Sequence, residues 1–260
     1  MEMTLERPPT HSGSRALAWG VLAASVLQVV APVITINGPG SSPGNGSGPE
    51  LLITPVGWAF SIWGVIYALA IVQAASVLVR GAETVPRRLQ IDQIVLYLGG
   101  ALWIALAGLD SSLATAGALL LMLVAAIDGV LTAARVPMTA GGWTTLTRAA
   151  IGLYAGWVTA AFFLNLSTAL VDADAVEADA LTWQIGMLVI ADVALLAVTI
   201  ACRGILTYPA AGAWALLGIG VTGASDGTTE VVWVAVISAV VLIATTAIAR
   251  VKGLHPATTS

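Results

Sequence analysis

Charge is what this sequence has least of. Only 9% of its 260 residues are Asp, Glu, Lys or Arg, against 58% hydrophobic, and the mean hydropathy is +0.94. Ten basic and 14 acidic side chains cannot cover a water-soluble globule of this length, which excludes a soluble enzyme and a nucleic-acid binder. Cysteine occurs once, as Cys202, so there is no intrachain disulfide and no multi-cysteine metal or iron–sulfur site. Both histidines, His11 and His255, fall in the terminal tails, which removes imidazole from any intramembrane metal site or acid–base pair. The one lysine, Lys252, follows the last apolar run, so no buried amine is available for a retinal Schiff base. No internal repeat is visible, and no charged insert is long enough to form a second, soluble domain.

What is present is apolar length. A bilayer's hydrocarbon core takes about 20 apolar residues per helix, so the chain is cut wherever charge or Gly/Pro clusters interrupt the runs. Eight runs result, at 16–36, 54–79, 91–109, 112–134, 146–170, 183–202, 205–223 and 230–250. They lack the period-two alternation of barrel strands, so the expected fold is all-α, a polytopic membrane helix bundle of about eight transmembrane helices. Residues 1–15 and 251–260 read as tails, and 172–182 as an external acidic loop.

Orientation is an independent check, because short loops rich in Lys and Arg stay cytoplasmic. With eight spans, Arg7, Arg15, Arg80, Arg87, Arg88, Arg135, Arg148, Arg203, Arg250 and Lys252 all fall on one side. The other side holds the Gly/Ser-rich loop 37–50, Asp110, the acidic residues Asp172, Asp174, Glu177 and Asp179, and the 226–230 link. One span more or fewer scrambles this segregation, so both termini are expected in the cytoplasm. The first run is too long for a signal-peptide core and is read as a retained helix. Richness in Ala, Gly and Val with almost no Lys fits a high-GC bacterium, and with it an inner-membrane location.

Ionisable groups inside a membrane are costly and are functional candidates by default. Asp192, in the middle of the sixth run, is the sharpest: either a proton or cation site, or a hydrogen-bonded side chain that ties helices together. Asp128 lies nearer the basic end of the fourth run and is a weaker candidate for the same role. Asp92 and Asp110 sit at run ends, where charge is cheap, and are read as interface markers. Glycines at 152 and 156, and at 99 and 100, suit close helix packing better than phosphate binding.

Tryptophan is in excess, nine against three Phe and four Tyr. Trp19, Trp143, Trp183 and Trp233 lie near run ends, where indoles anchor at headgroup level. Trp58, Trp63, Trp103, Trp157 and Trp214 need another reason. A buried indole offers a flat face and one N–H donor, which suits a planar apolar ligand and equally suits a packed core.

Two segments bear on that choice. Residues 54–67 read TPVGWAFSIWGVIY, and 153–165 read LYAGWVTAAFFLN. The first resembles the Pro-x-Gly-Trp-x-Phe...Trp-x-x-x-Tyr entry to the second helix of the TspO/MBR family, the tryptophan-rich sensory and translocator proteins. The second resembles that family's fifth helix, Tyr-x-x-Trp-x-x-x-Ala-x-x-Leu-Asn. They fall in the second and fifth runs, as in that family, and the resemblance covers about residues 16–171. Departures are the Trp58 to Trp63 distance, one residue short, Val56 in place of a second Pro, Gly100 where an Asn commonly precedes the Trp at 103, and Leu153 in place of a Pro.

The resemblance implies a five-helix unit whose pocket opens beneath the loop after the first helix and binds porphyrins and similar flat hydrophobic molecules. It places Trp63 and Trp157 on the pocket wall, where family members have been implicated in light-dependent porphyrin degradation. Trp58, Phe60, Trp63, Tyr67, Trp103, Tyr154, Trp157, Ala161 and Asn165 are the ligand-binding candidates that follow. In this picture two indoles from facing helices sandwich the ligand, Ala161 leaves room, loop 37–50 acts as a lid, and Tyr67, Tyr154 and Asn165 supply polar handles. A sterol site is not expected, since the reverse recognition pattern occurs only once, through Arg148, Tyr154 and Val158. No catalytic or metal site and no obligatory cofactor is expected, and a porphyrin-type ligand is the one small molecule implied. The partners expected are the lipid bilayer, a hydrophobic small molecule and a second copy in a homodimer. The competing reading is a proton-coupled secondary transporter or permease using Asp192, with Pro209 and Gly212 as a broken helix in the seventh run. Helices after 182 serve either as a dimerisation surface or as a module closing the pocket laterally.

Overall fold

The computed structural model describes residues 13–36, 51–109, 111–135, 142–202 and 205–254. Loop 37–50, read above as a lid, lies outside them, as do Asp110, Arg203 and the outer parts of both tails. The described residues form eight α-helices and no strand: α1 Arg15–Ile36, α2 Ile62–Arg80, α3 Arg87–Ala107, α4 Ser112–Arg135, α5 Gly142–Asp172, α6 Leu181–Ala201, α7 Thr207–Ser225 and α8 Thr229–Leu254. A 3₁₀ helix, Gly57–Ser61, leads directly into α2, so the second run begins as a tighter turn rather than as the α-helix expected from 54.

Seven of these helices are long and apolar enough to cross a membrane, which makes the protein multi-pass. Many of their large apolar side chains face outward, among them Val65 and Val72 on α2, Leu120 and Val124 on α4, Ile190 and Val193 on α6, and Val240 and Ile243 on α8. Such a belt is stable only in lipid. The exception by composition is α7, which carries Pro209 and four glycines. Pro209 sits in its first turn, where no N–H partner is needed, and the helix runs on unbroken through Gly212, so the broken helix expected there is not found.

Small residues let α7 enter the bundle. A Cβ on Gly156 of α5 would stand 2.2 Å from the Tyr208 carbonyl oxygen, and one on Gly152 would stand 2.4 Å from Thr207 Oγ1. Gly212 and Gly218 admit Leu195 and Ala59 in the same way. These close approaches are how membrane helices gain packing without a hydrophobic drive between them. α5 is the central helix, packed on α4, α7, α2 and α6, while α3 joins α1 to α4 and α8 backs α6 and α7.

α3 starts at Arg87, before the expected 91, with Pro86 as its N-cap. Asp92 therefore sits in the second turn, half-buried beside Asp128, and not at a helix end. Asp128 itself accepts two hydrogen bonds of 2.5 Å from Arg88, Nε to Oδ2 and Nη2 to Oδ1, which clamp α3 to α4. That pairing is a structural use for the carboxylate.

Candidate functional site

The family-like segments meet in an aromatic layer towards the end of the bundle that carries the acidic residues. Trp63 is the second residue of α2, and the 3₁₀ turn before it holds Phe60 against Trp157 of α5, ring centroids 5.8 Å apart. Trp63 stacks on Trp103 of α3 at 5.8 Å and meets Trp157 edge to face at 6.2 Å, with the planes at 90°. Trp63 and Trp157 are both buried, at 6% and 2% exposure. The two indoles touch, so they do not sandwich a guest as expected. The helices bring the two positions together, but α2 and α5 pack too closely there for a ring system to pass between them.

Instead both indoles form one wall of a cavity of about 50 Å³. Phe60, Trp103, Ala161 and Asn165 share that wall. Met187, Leu188, Ala191, Asp192 and Leu195 of α6, with Gly212, Ala215, Leu216 and Ile219 of α7, make the other. The C-terminal helices thus close the cavity laterally, one of the two roles left open by the sequence. Ile53 and Pro55 line the cavity from the segment preceding α2, and this segment is pinned. Leu52 N–H donates to Gln184 Oε1 on α6 (2.8 Å), Val56 N–H donates to the Gly218 carbonyl on α7 (3.2 Å), and Trp214 Nε1 donates to the Ala59 carbonyl (2.8 Å).

Three expected ligand residues lie off the cavity wall. Trp58 packs edge-on against Trp214 at 5.0 Å and is 45% exposed on the outside. Tyr67 sits behind Trp63 at 5.5 Å. Tyr154 points away, its hydroxyl donating to Gln28 Oε1 at 2.8 Å, and its ring stacks on Tyr97 at 5.7 Å. Asn165 is on the wall, with its oxygen accepting from Trp103 Nε1 (3.2 Å) and its amide donating to the Ala161 carbonyl (3.0 Å). That pair holds the Trp103 ring in place.

Behind the indoles lies a buried amide layer that reading the ionisable groups alone had missed. Gln93 donates to Gln73 Oε1 (2.9 Å) and to the Tyr97 hydroxyl (3.3 Å), and Gln73 donates to Thr147 Oγ1 (3.4 Å). Gln28, Gln73 and Gln93 are fully buried within apolar runs, and their presence there was the available signal.

Asp192, placed in a separate hypothesis above, lines the same cavity as Trp63 and Trp157. It stands near the midpoint of α6, about 15 Å from either end. Ser238 of α8 lies close to its carboxyl group, and its Oδ1 is buried without a hydrogen-bond partner among the described residues. Trp157 Nε1 is likewise buried and unpartnered. The site therefore offers aromatic faces in an apolar enclosure, and two of its lining side chains, Asp192 and Trp157, each carry a buried polar atom without a partner. Asp128 is not among the residues that line it.

Comparison with curated proteins and with solved structures returns no match. A family model described as TSPO-like protein matches residues 16–248, continuing past 171 through α6 and α7 and most of α8. With the eight-helix bundle and the Trp63/Trp157 layer in place, this match over most of the chain establishes that the protein belongs to the TSPO-like, TspO/MBR family.

Proposed function

We propose that the protein binds a flat hydrophobic small molecule, of the tetrapyrrole class or of comparable ring character, inside the membrane between α2, α5, α6 and α7. The observation that carries this reading is the cavity itself: an apolar enclosure walled on one side by Trp63, Trp103 and Trp157, at the depth where lipid-soluble molecules partition. Its 50 Å³ is small beside the roughly 150 Å³ of an engineered apolar cavity that takes up benzene. A single ring or a small fused system enters with side-chain adjustment. A macrocycle requires α6 to move outward, and α6 is backed chiefly by α8 and α5. The distribution of arginines favours a cytoplasmic face for the basic ends of the helices, and the Ala/Gly/Val-rich, Lys-poor composition favours a bacterial inner membrane.

The test is fluorescence quenching of the purified protein by protoporphyrin, in wild type and in Trp63→Phe/Trp157→Phe. Saturable quenching that weakens in the double variant supports the site. Quenching of equal depth and affinity in both would move the ligand elsewhere.

Asp192 on the facing wall of the same cavity favours a second reading, proton-coupled transport of the bound molecule. Because α7 is continuous, this reading rests on the carboxyl group alone. Asp192→Asn should then abolish proton-driven uptake into vesicles, and unchanged uptake removes it.

A further inference from the structure

Resting on the binding site above, we infer that its guest is an aromatic molecule carrying a basic nitrogen, with Asp192 as the counter-charge and the indoles as the ring platform. Three features of the cavity converge on this chemistry. Asp192 presents a buried oxygen without a partner, while the other side chains of that wall are apolar, among them Met187, Leu188, Leu195, Leu216 and Ile219. A carboxyl group at mid-membrane depth is costly unless something donates to it or neutralises it. Ser238 is its polar neighbour on α8, and the one salt bridge among the described residues is Arg88 with Asp128, so no described cation is paired with it. A protonated amine supplies both the missing donor and the missing charge.

The opposite wall selects the rest of the molecule. Trp63 and Trp103 lie nearly parallel, with 26° between their planes, and Trp157 stands perpendicular to Trp63, so the cavity meets indole surfaces in two orientations. Indole faces attract cations and stack on aromatic rings. Trp157 Nε1 is an unpartnered donor in a side chain only 2% exposed, and the π face of such a guest is an acceptor for it. An anionic group beside α6 is disfavoured for the reason a cation is favoured: it would face Asp192 with no arginine or lysine on the cavity wall to receive it, so the carboxylates of a bound porphyrin have to lie away from that wall.

The experiment compares three ligands that share one chromophore: 9-(aminomethyl)anthracene, 9-ethylanthracene and 9-anthraceneacetate. Each is titrated into the full-length protein in neutral-lipid nanodiscs, with tryptophan-to-anthracene energy transfer as the readout and protein-free nanodiscs correcting for partitioning. The ammonium ligand should bind at least about tenfold more tightly than the neutral one, the scale of one desolvated charge contact, and the carboxylate weakest. Asp192→Asn should abolish that ranking while leaving the neutral ligand within about threefold of its wild-type affinity, and Asp192→Glu should keep the ranking. Equal affinities in the wild-type protein overturn the inference without any variant, as does a cation preference that survives Asp192→Asn. Saturable quenching by protoporphyrin together with equal anthracene affinities leaves the binding site standing and removes only its charge selectivity. Absence of transfer or quenching with all four compounds defeats the site and the inference together.

Discussion

Gly156→Ala tests whether the intimate contact of α5 with α7 is what holds the C-terminal helices on the bundle. The added methyl would stand 2.2 Å from the Tyr208 carbonyl oxygen and 2.9 Å from Ala211 Cβ. Real methyl contacts do not fall below 3.0 Å, so the helices must part by about 0.8 Å. Because the nearest obstacle is backbone, no rotamer change relieves it. Overpacking of this kind costs about 1–3 kcal/mol, against which Ala over Gly in a helix returns about 1 kcal/mol. The net change is a loss of up to about 2 kcal/mol, a fall of up to about 8 °C in Tm for a chain of this size, and against Gly186→Ala, which keeps the helix gain, the deficit is the full cost of about 1–3 kcal/mol. Cys202, the only thiol in the sequence and 1% exposed at the end of α6, supplies the readout, since a fluorogenic maleimide reacts with it only as the bundle opens. Gly186→Ala on α6 is the control, because nothing lies within 4 Å of its Cβ position and only helix propensity changes. If Gly156→Ala melts at or above the temperature of Gly186→Ala, the close α5–α7 contact is not what the geometry says it is.

Other perturbations address the cavity, the amide layer and the α3–α4 clamp. Ala161→Phe places a ring in the cavity and should abolish protoporphyrin quenching with Tm within a few degrees of wild type; intact quenching puts the ligand outside the cavity. Tyr154→Phe strands Gln28 Oε1 in a buried site and should cost about 1–3 kcal/mol, part of which Tyr154→Phe/Gln28→Leu regains. A double variant less stable than Tyr154→Phe alone would contradict that account. Arg88→Ala and Asp128→Asn should be non-additive in a thermal-melt cycle, with small single effects because the Arg88 side chain is 65% exposed; additive effects would mean that the two groups do not act as a pair.

The number of helices was legible because it rests on local properties, run length and the placement of arginines. Helix ends were less so. Charge places the start of the third run at 91, yet Arg87 and Arg88 lie in the first turn of α3, where long cationic side chains reach out of the apolar layer. The Arg88–Asp128 clamp joins residues 40 apart and leaves no trace in either run. Motif spacing placed Trp63 and Trp157 in one layer, but the angle between their rings is set by Trp103, Phe60 and Tyr154, which come from three different segments. The wall formed by Met187, Leu188 and Ala191 has no signature beyond apolarity. For that reason Asp192 and the indoles were assigned to rival functions when they face one cavity.

α7 shows why composition alone misjudges a helix of this kind. Hydropathy measures what a helix would present to lipid, whereas α7 spends its surface on α5, α8 and the 3₁₀ turn before α2. There the relevant property is how near its axis can approach. Gly212 and Gly218 and the small residues between them trade hydropathy for that nearness. The same helix accepts Val56 N–H at the Gly218 carbonyl and donates Trp214 Nε1 to Ala59, so it anchors the segment above the cavity as well as forming its wall. A change that shifts α7 therefore acts on roof and wall at once. Gly156→Ala should alter ligand affinity and stability in the same variant, whereas a variant confined to the wall, such as Ala161→Phe, separates the two.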